Sequence, residues 1–234
     1  MLRRRRLAML VAEFLGVTIL STITLSMIGR TSFPFFLAVA VGTAFGAMAY
    51  LFGAHSNPAV TLGLWTMRKV QTTQAVVLVI AQMLGGLAAW QLNEYLLNNQ
   101  IENMAGASFD WRILTAEAVG AFVLGLGVAV AVTRVYEGAK LAVVMGVSLS
   151  MGVLVATIAA NGLLNPAVAL GVQSWSWTYS VAPLLGTIVG MNFYQLVFVD
   201  RTKKAVKATA SRSRSTSKKT TARKTTTKRK AAKR

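Results

Sequence analysis

Six apolar stretches, at residues 7–28, 33–52, 70–92, 113–133, 141–160 and 178–199, constrain this chain more than any other feature. Each is close to the ~20 residues that a helix needs to cross about 30 Å of hydrocarbon. Only 14% of the 234 residues are charged and the mean hydropathy is +0.54, whereas a soluble domain carries about 25% charge. Six such stretches leave too little polar surface for a soluble helical core. The expected fold class is therefore an all-α membrane protein. The first stretch follows four arginines at 3–6, as a signal peptide would. It is long and lacks a clear small-residue cleavage site, so it is read as the first span.

Charge sets the expected topology. Residues 201–234 hold 15 Lys/Arg and no acid, whereas the rest of the chain has ten basic and seven acidic residues. The arginines at 3–6, Arg68, Lys69, Arg134, Lys140 and the basic tail all fall on one side of a six-span bundle. The other side has Arg30 and Arg112, together with Glu94, Glu102 and Asp110. The positive-inside rule then predicts a multi-pass protein of the cell membrane with both termini cytoplasmic.

The chain repeats itself. Ala12-Glu13-Phe14-Leu15-Gly16 returns 104 residues later as Ala116-Glu117-Ala118-Val119-Gly120, and Asn57-Pro58-Ala59-Val60 returns 108 later as Asn165-Pro166-Ala167-Val168. Ala81-Gln82-Met83-Leu84-Gly85 is echoed 101 later by Ala182-Pro183-Leu184-Leu185-Gly186. Three spans per half is an odd number, so the halves, about 7–97 and 111–199, enter the membrane in opposite senses. An inverted repeat carries its functional site near the midplane, where the halves meet.

Each Asn-Pro-Ala opens a segment too short to span. Asn favours the helix N-cap and Pro the first helical position, so two re-entrant half-helices are predicted, meeting N-terminus to N-terminus. Both N-termini then aim partial positive charge at one place, and the Asn amides offer N–H donors. A water or hydroxyl there accepts hydrogen bonds, while a cation or proton meets a barrier. The loop residues Gly53, Ala54, His55 and Ser56, and the segment 161–164, are expected to be unwound and to offer carbonyls to a pore. Such backbone is tolerated at membrane depth only where it is buried or lines a cavity.

The run Gly53-Ala54-His55-Ser56-Asn57-Pro58-Ala59-Val60-Thr61 resembles the first signature of the aquaporin, or major intrinsic protein, family. The resemblance extends over about residues 7–199 and includes Ala81-Gln82, Glu117 and Trp177-Thr178-Tyr179 with Pro183. It implies six tilted helices with two half-helices, a pore in each subunit for water or small neutral solutes, and a homotetramer.

Glu13 and Glu117 lie inside spans, where a carboxylate is costly and is functional or paired. No base or nucleophile motif accompanies them, so they are read as acceptors for the re-entrant loop of their own half; the resemblance points the same way. Family members usually carry Arg after the second Asn-Pro-Ala, and this chain has Val168. By the same correspondence the other filter positions are Leu37, Val153 and Gly162. A filter without a guanidinium loses a strong donor and a fixed charge, which predicts weaker discrimination among small neutral solutes. The short connection after the second motif suggests a clipped second half-helix.

No cysteine and a single histidine leave no metal site or cofactor in the expectation, and no constellation suggests an enzyme. The basic tail, rich in Ser and Thr, is expected to be disordered and to contact anionic lipid headgroups; nonspecific nucleic-acid binding is the other reading. Competing functions are a glycerol or dissolved-gas facilitator, an ion-coupled secondary transporter using Glu13 and Glu117, and a membrane anchor that binds nucleic acid through its tail.

Overall fold

A computed structural model describes residues 2–28, 34–106 and 109–199. The expected tail, 201–234, lies outside the described residues. The described chain is helical with no strand: α1 (Leu2–Met27), α2 (Pro34–Phe52), α3 (Pro58–Thr66), α4 (Thr72–Leu97), α5 (Trp111–Thr133), α6 (Gly138–Ala156), α7 (Pro166–Gly171) and α8 (Trp177–Val197). Six are long and apolar enough to cross a membrane, and α3 and α7 are not.

Two ends differ from the hydropathy pattern. Helix α4 runs past its apolar stretch to Leu97, with Asn93 buried on the way, and it stops at Asn98 in the left-handed region. Helix α6 ends at Ala156, four residues before its apolar stretch does, and the chain then turns into the unwound segment before Asn165. Asp110 caps α5, its Oδ1 accepting the Arg112 N–H at 2.7 Å. The adjacent guanidinium holds the Asp110 carboxyl below its usual value.

Apolar residues face outward along the spans. Val143, Val147 and Met151 on α6, and Leu185 and Val189 on α8, are exposed at helical spacing, as lipid-facing stripes require. Trp111 and Trp177, which open α5 and α8 on the same side of the bundle, are also exposed, the placement of an interfacial aromatic belt.

Small residues close the interior. A side-chain carbon on Gly85 would stand 2.4 Å from the Phe14 carbonyl oxygen, and one on Gly186 would stand 2.1 Å from the Ala118 carbonyl oxygen. These are equivalent places in the two halves, the α1–α4 and α5–α8 crossings. At the centre, α2 and α6 cross with Gly42 and Gly146 backbone to backbone: a side-chain carbon on either would reach within 2.7 Å of the other's carbonyl oxygen. Gly42 and Gly146 are 104 residues apart, so this contact lies on the axis relating the halves. Only residues without side chains permit that approach.

Candidate functional site

The site is assembled from two short helices and the loops before them. Asn57 and Asn165 are the N-caps of α3 and α7, both in extended backbone. Asn57 Oδ1 accepts from the Ala59 N–H at 2.8 Å; Asn165 Oδ1 accepts from Ala167 at 3.1 Å and Val168 at 3.3 Å. Pro58 and Pro166 occupy the first helical positions, where the absent N–H costs nothing. Residues 53–57 and 161–165 are unwound.

The halves are tied together through these caps. The Asn57 amide donates to the Leu164 carbonyl at 2.9 Å, and the Asn165 amide donates to the Ser56 carbonyl at 2.8 Å. Each amide has two N–H donors; one is committed across the axis and one remains. Ser56 and Leu164 both have left-handed backbone, with φ of 47° and 50°. That conformation is strained for residues with side chains, and it turns their carbonyls toward the opposite asparagine. Each of these two carbonyls thus accepts one N–H across the axis and keeps a second lone pair.

Two buried carboxylates hold the strained turns. Glu13 accepts from the main-chain N–H of His55 at 2.8 Å and of Ser56 at 2.6 Å. Glu117 accepts from Leu163 at 2.9 Å and Leu164 at 2.8 Å. Both are at most 1% exposed. The first half is more elaborate: Gln82 donates to Glu13 at 2.7 Å and to Thr61 Oγ1 at 2.8 Å, and the His55 ring lies 3.1 Å from the same hydroxyl. Pro183 stands where Gln82 has its counterpart. There the Asn161 N–H donates instead to the Tyr179 hydroxyl at 3.1 Å, and the Asn161 amide reaches the Met104 carbonyl at 3.2 Å. Gly53 and Gly162, which begin the two turns, have φ of 63° and 69°. Ala54 is buried behind the first turn, as Ala59 and Ala167 are at the second positions of the two half-helices.

Beside Asn165 lies a cavity of about 20 Å³, lined by Leu37, Gly162, Leu163, Val168 and Leu149, with Leu20, Thr24 and Val41 closing it. A water needs roughly 10–15 Å³ by this measure, so the space holds about one. Three of the four residues assigned to the filter line it. The fourth, Val153, packs behind Gly162: a side-chain carbon on that glycine would stand 3.2 Å from Val153 Cγ1. Leu149 was missed by motif counting. It precedes Val153 by four residues on α6, and that spacing, which puts two side chains on one helix face, was the available signal. Thr24 brings the cavity's one side-chain hydroxyl, and its hydrogen is spent on the Leu20 carbonyl at 2.8 Å. Among the described residues no group of His, Cys, Asp and Glu could hold a metal ion.

Residues 4–198 match the sequence model of the family described as Major intrinsic protein. The chain belongs to the major intrinsic protein family. It is 30% identical over 214 residues to Aquaporin NIP1-1 of Zea mays, covering 84% of this chain and 75% of that one. It is 25% identical over 194 residues to Aquaporin Z of Photorhabdus laumondii, covering 70% of this chain and 84% of that one. Its fold is similar to the X-ray structure of the aquaglyceroporin from Plasmodium falciparum, with a TM-score of 0.64 at 22% identity, over 82% of this chain and 96% of that chain. Members of the family are channels, so this chain is a multi-pass membrane channel and not an enzyme. This major intrinsic protein has Val168 directly after its second Asn-Pro-Ala, and that side chain lines the cavity beside Asn165.

Proposed function

We propose that the protein passively conducts water and small neutral solutes through a pore in each subunit, past the paired asparagines. The reciprocal hydrogen bonds from the Asn57 amide to the Leu164 carbonyl and from the Asn165 amide to the Ser56 carbonyl carry this reading. They bring the two helix N-termini to one point and leave one oriented N–H on each amide. A permeant oxygen there meets two fixed donors, while a cation faces the positive ends of both half-helices. Glu13 and Glu117 hold the loops and are satisfied by main-chain donors, which disfavours ion coupling through them. The protein acts as a homotetramer in the cell membrane with both termini cytoplasmic.

The filter is Leu37, Val153, Gly162 and Val168, with Leu149 added. Without a guanidinium, ion exclusion rests on the half-helix ends and on the cost of dehydration in an apolar constriction. This apolar lining favours a second reading, that of a small-solute or dissolved-gas facilitator. Stopped-flow light scattering on proteoliposomes, comparing water, glycerol, urea and ammonia, separates the two. Water flux well above that of empty liposomes supports the water channel. Water flux at the bilayer background, with ammonia or urea flux above it, supports the facilitator. Background flux for all four removes the proposal.

A further inference from the structure

We infer that the outer face of α1 and α4 is a binding site for an anionic phospholipid, with Arg6 at the headgroup. Two adjoining hollows there have different chemistry. The one farther along α1 and α4, about 380 Å³, is walled by Val11, Phe14, Ile80 and Leu84. The one at the starts of these helices, about 430 Å³, is walled by Arg6, Gln71, Thr73 and Gln74. Leu10 and Val77 line both, so they form one groove with a polar mouth and an apolar trunk.

Its length matches one leaflet. Gln74 to Leu84 spans ten residues of α4, about 15 Å at 1.5 Å per residue, which is half the hydrocarbon thickness of about 30 Å. The inner end is at the midplane, because Gly86 packs against the Ala167 carbonyl at the second Asn-Pro-Ala turn. The mouth lies where α1 begins and α4 starts, at the membrane boundary.

Its charge calls for an anion. Arg6 forms no ion pair among the described residues. Arg68 and Lys69 line the next hollow, which shares Gln71 with the mouth. Between residues 2 and 92 the sole acid is Glu13, which is buried and occupied by the pore loop. Gln74 spends an amide hydrogen on the Met9 sulfur at 3.5 Å, a weak acceptor that a phosphate oxygen would replace. Among the described residues, a parallel second copy would bring Arg5, Arg6, Arg68, Lys69, Arg134 and Lys140 to this depth against one acid, Glu137. Like charge at the mouth therefore disfavours protein as the occupant, whereas a phosphate with an acyl chain below it matches both parts.

The test is the thermal stability of the full-length protein in mixed micelles, titrated with phosphatidylglycerol or phosphatidylcholine of identical chains. It is run at about 1 M salt, where the Debye length is about 3 Å and the tail's long-range attraction is screened. We expect tighter binding of the anionic lipid. Arg6→Gln should weaken it roughly five-fold, the share of one basic residue at an anionic surface. Val77→Trp, at an exposed position shared by both hollows, should abolish stabilisation by either lipid with Arg6 still present. Lys140→Gln, a cation outside the groove, should change nothing. An anionic preference undiminished by Arg6→Gln, or stabilisation that survives Val77→Trp, would overturn the site in favour of diffuse attraction. So would a Val77→Trp variant whose oligomer dissociates while wild-type protein ignores lipid, the outcome expected if a second copy fills the groove.

Discussion

Glu13 and Asn165 belong to different halves, yet one chain of hydrogen bonds joins them: Glu13 holds the Ser56 N–H, and the Ser56 carbonyl accepts from the Asn165 amide. Glu117, Leu164 and Asn57 form the mirror chain. Each carboxylate thus positions the acceptor that aims the other half's asparagine. Glu13→Leu orphans two main-chain donors and one of the two Gln82 amide hydrogens, at roughly 1–3 kcal/mol for each buried group. Glu13→Gln keeps one carbonyl acceptor. We expect Glu13→Leu to lower both thermal stability and water flux per folded protein more than Glu13→Gln does; equal, near-normal flux in both variants would remove the role assigned to Glu13. At the filter, Val168→Arg restores a donor and fills a cavity of about 20 Å³, so glycerol and urea permeability should fall relative to water in a liposome swelling assay. Leu149→Ala should do the reverse and raise glycerol permeability. An unchanged solute profile in both variants would place the constriction elsewhere.

The two half-helices are unequal elements. Helix α3 has nine residues and α7 has six, in keeping with the short connection after the second motif. Both end in the same way, with a left-handed residue just beyond the helix at Arg68 and Gln173, the usual means of satisfying terminal carbonyls. The loss of a turn therefore shortens α7 without fraying it. The spans are held by close crossings that leave no space for a side chain. Gly186→Ala puts a carbon 2.1 Å from the Ala118 carbonyl oxygen, so α5 and α8 must separate. Overpacking of this kind costs typically 1–3 kcal/mol, and the thermal midpoint in detergent should fall accordingly. A wild-type midpoint for Gly186→Ala would mean that the crossing is looser than its geometry.

For the whole molecule, the channel body and the tail make separable demands. Among the described residues, the hydrogen bonds that orient Asn57 and Asn165 come from residues 13–168. Deleting residues 202–234 should therefore leave solute flux intact and remove salt-sensitive binding to anionic liposomes or nucleic acid. A loss of flux at equal protein in the membrane would tie the tail to conduction. Six spans, the inverted repeat and two capped half-helices were legible in the sequence, because each is written locally: apolar runs of spanning length, motifs at constant offset, and Asn-Pro as a helix start. Glu13 and Glu117 were legible as loop supports, since a carboxylate inside a span requires donors. The tertiary structure alone decided that one N–H of each asparagine is already committed, that the Ser56 and Leu164 carbonyls accept those N–H groups, and that Leu149 lines the cavity beside Asn165. It also decided where α4 and α6 end. All of these depend on which atoms meet across the axis between the halves, over separations of about a hundred residues. Local pattern sets what each segment can become, and the packing of the two halves sets the width and the donors of the passage between them.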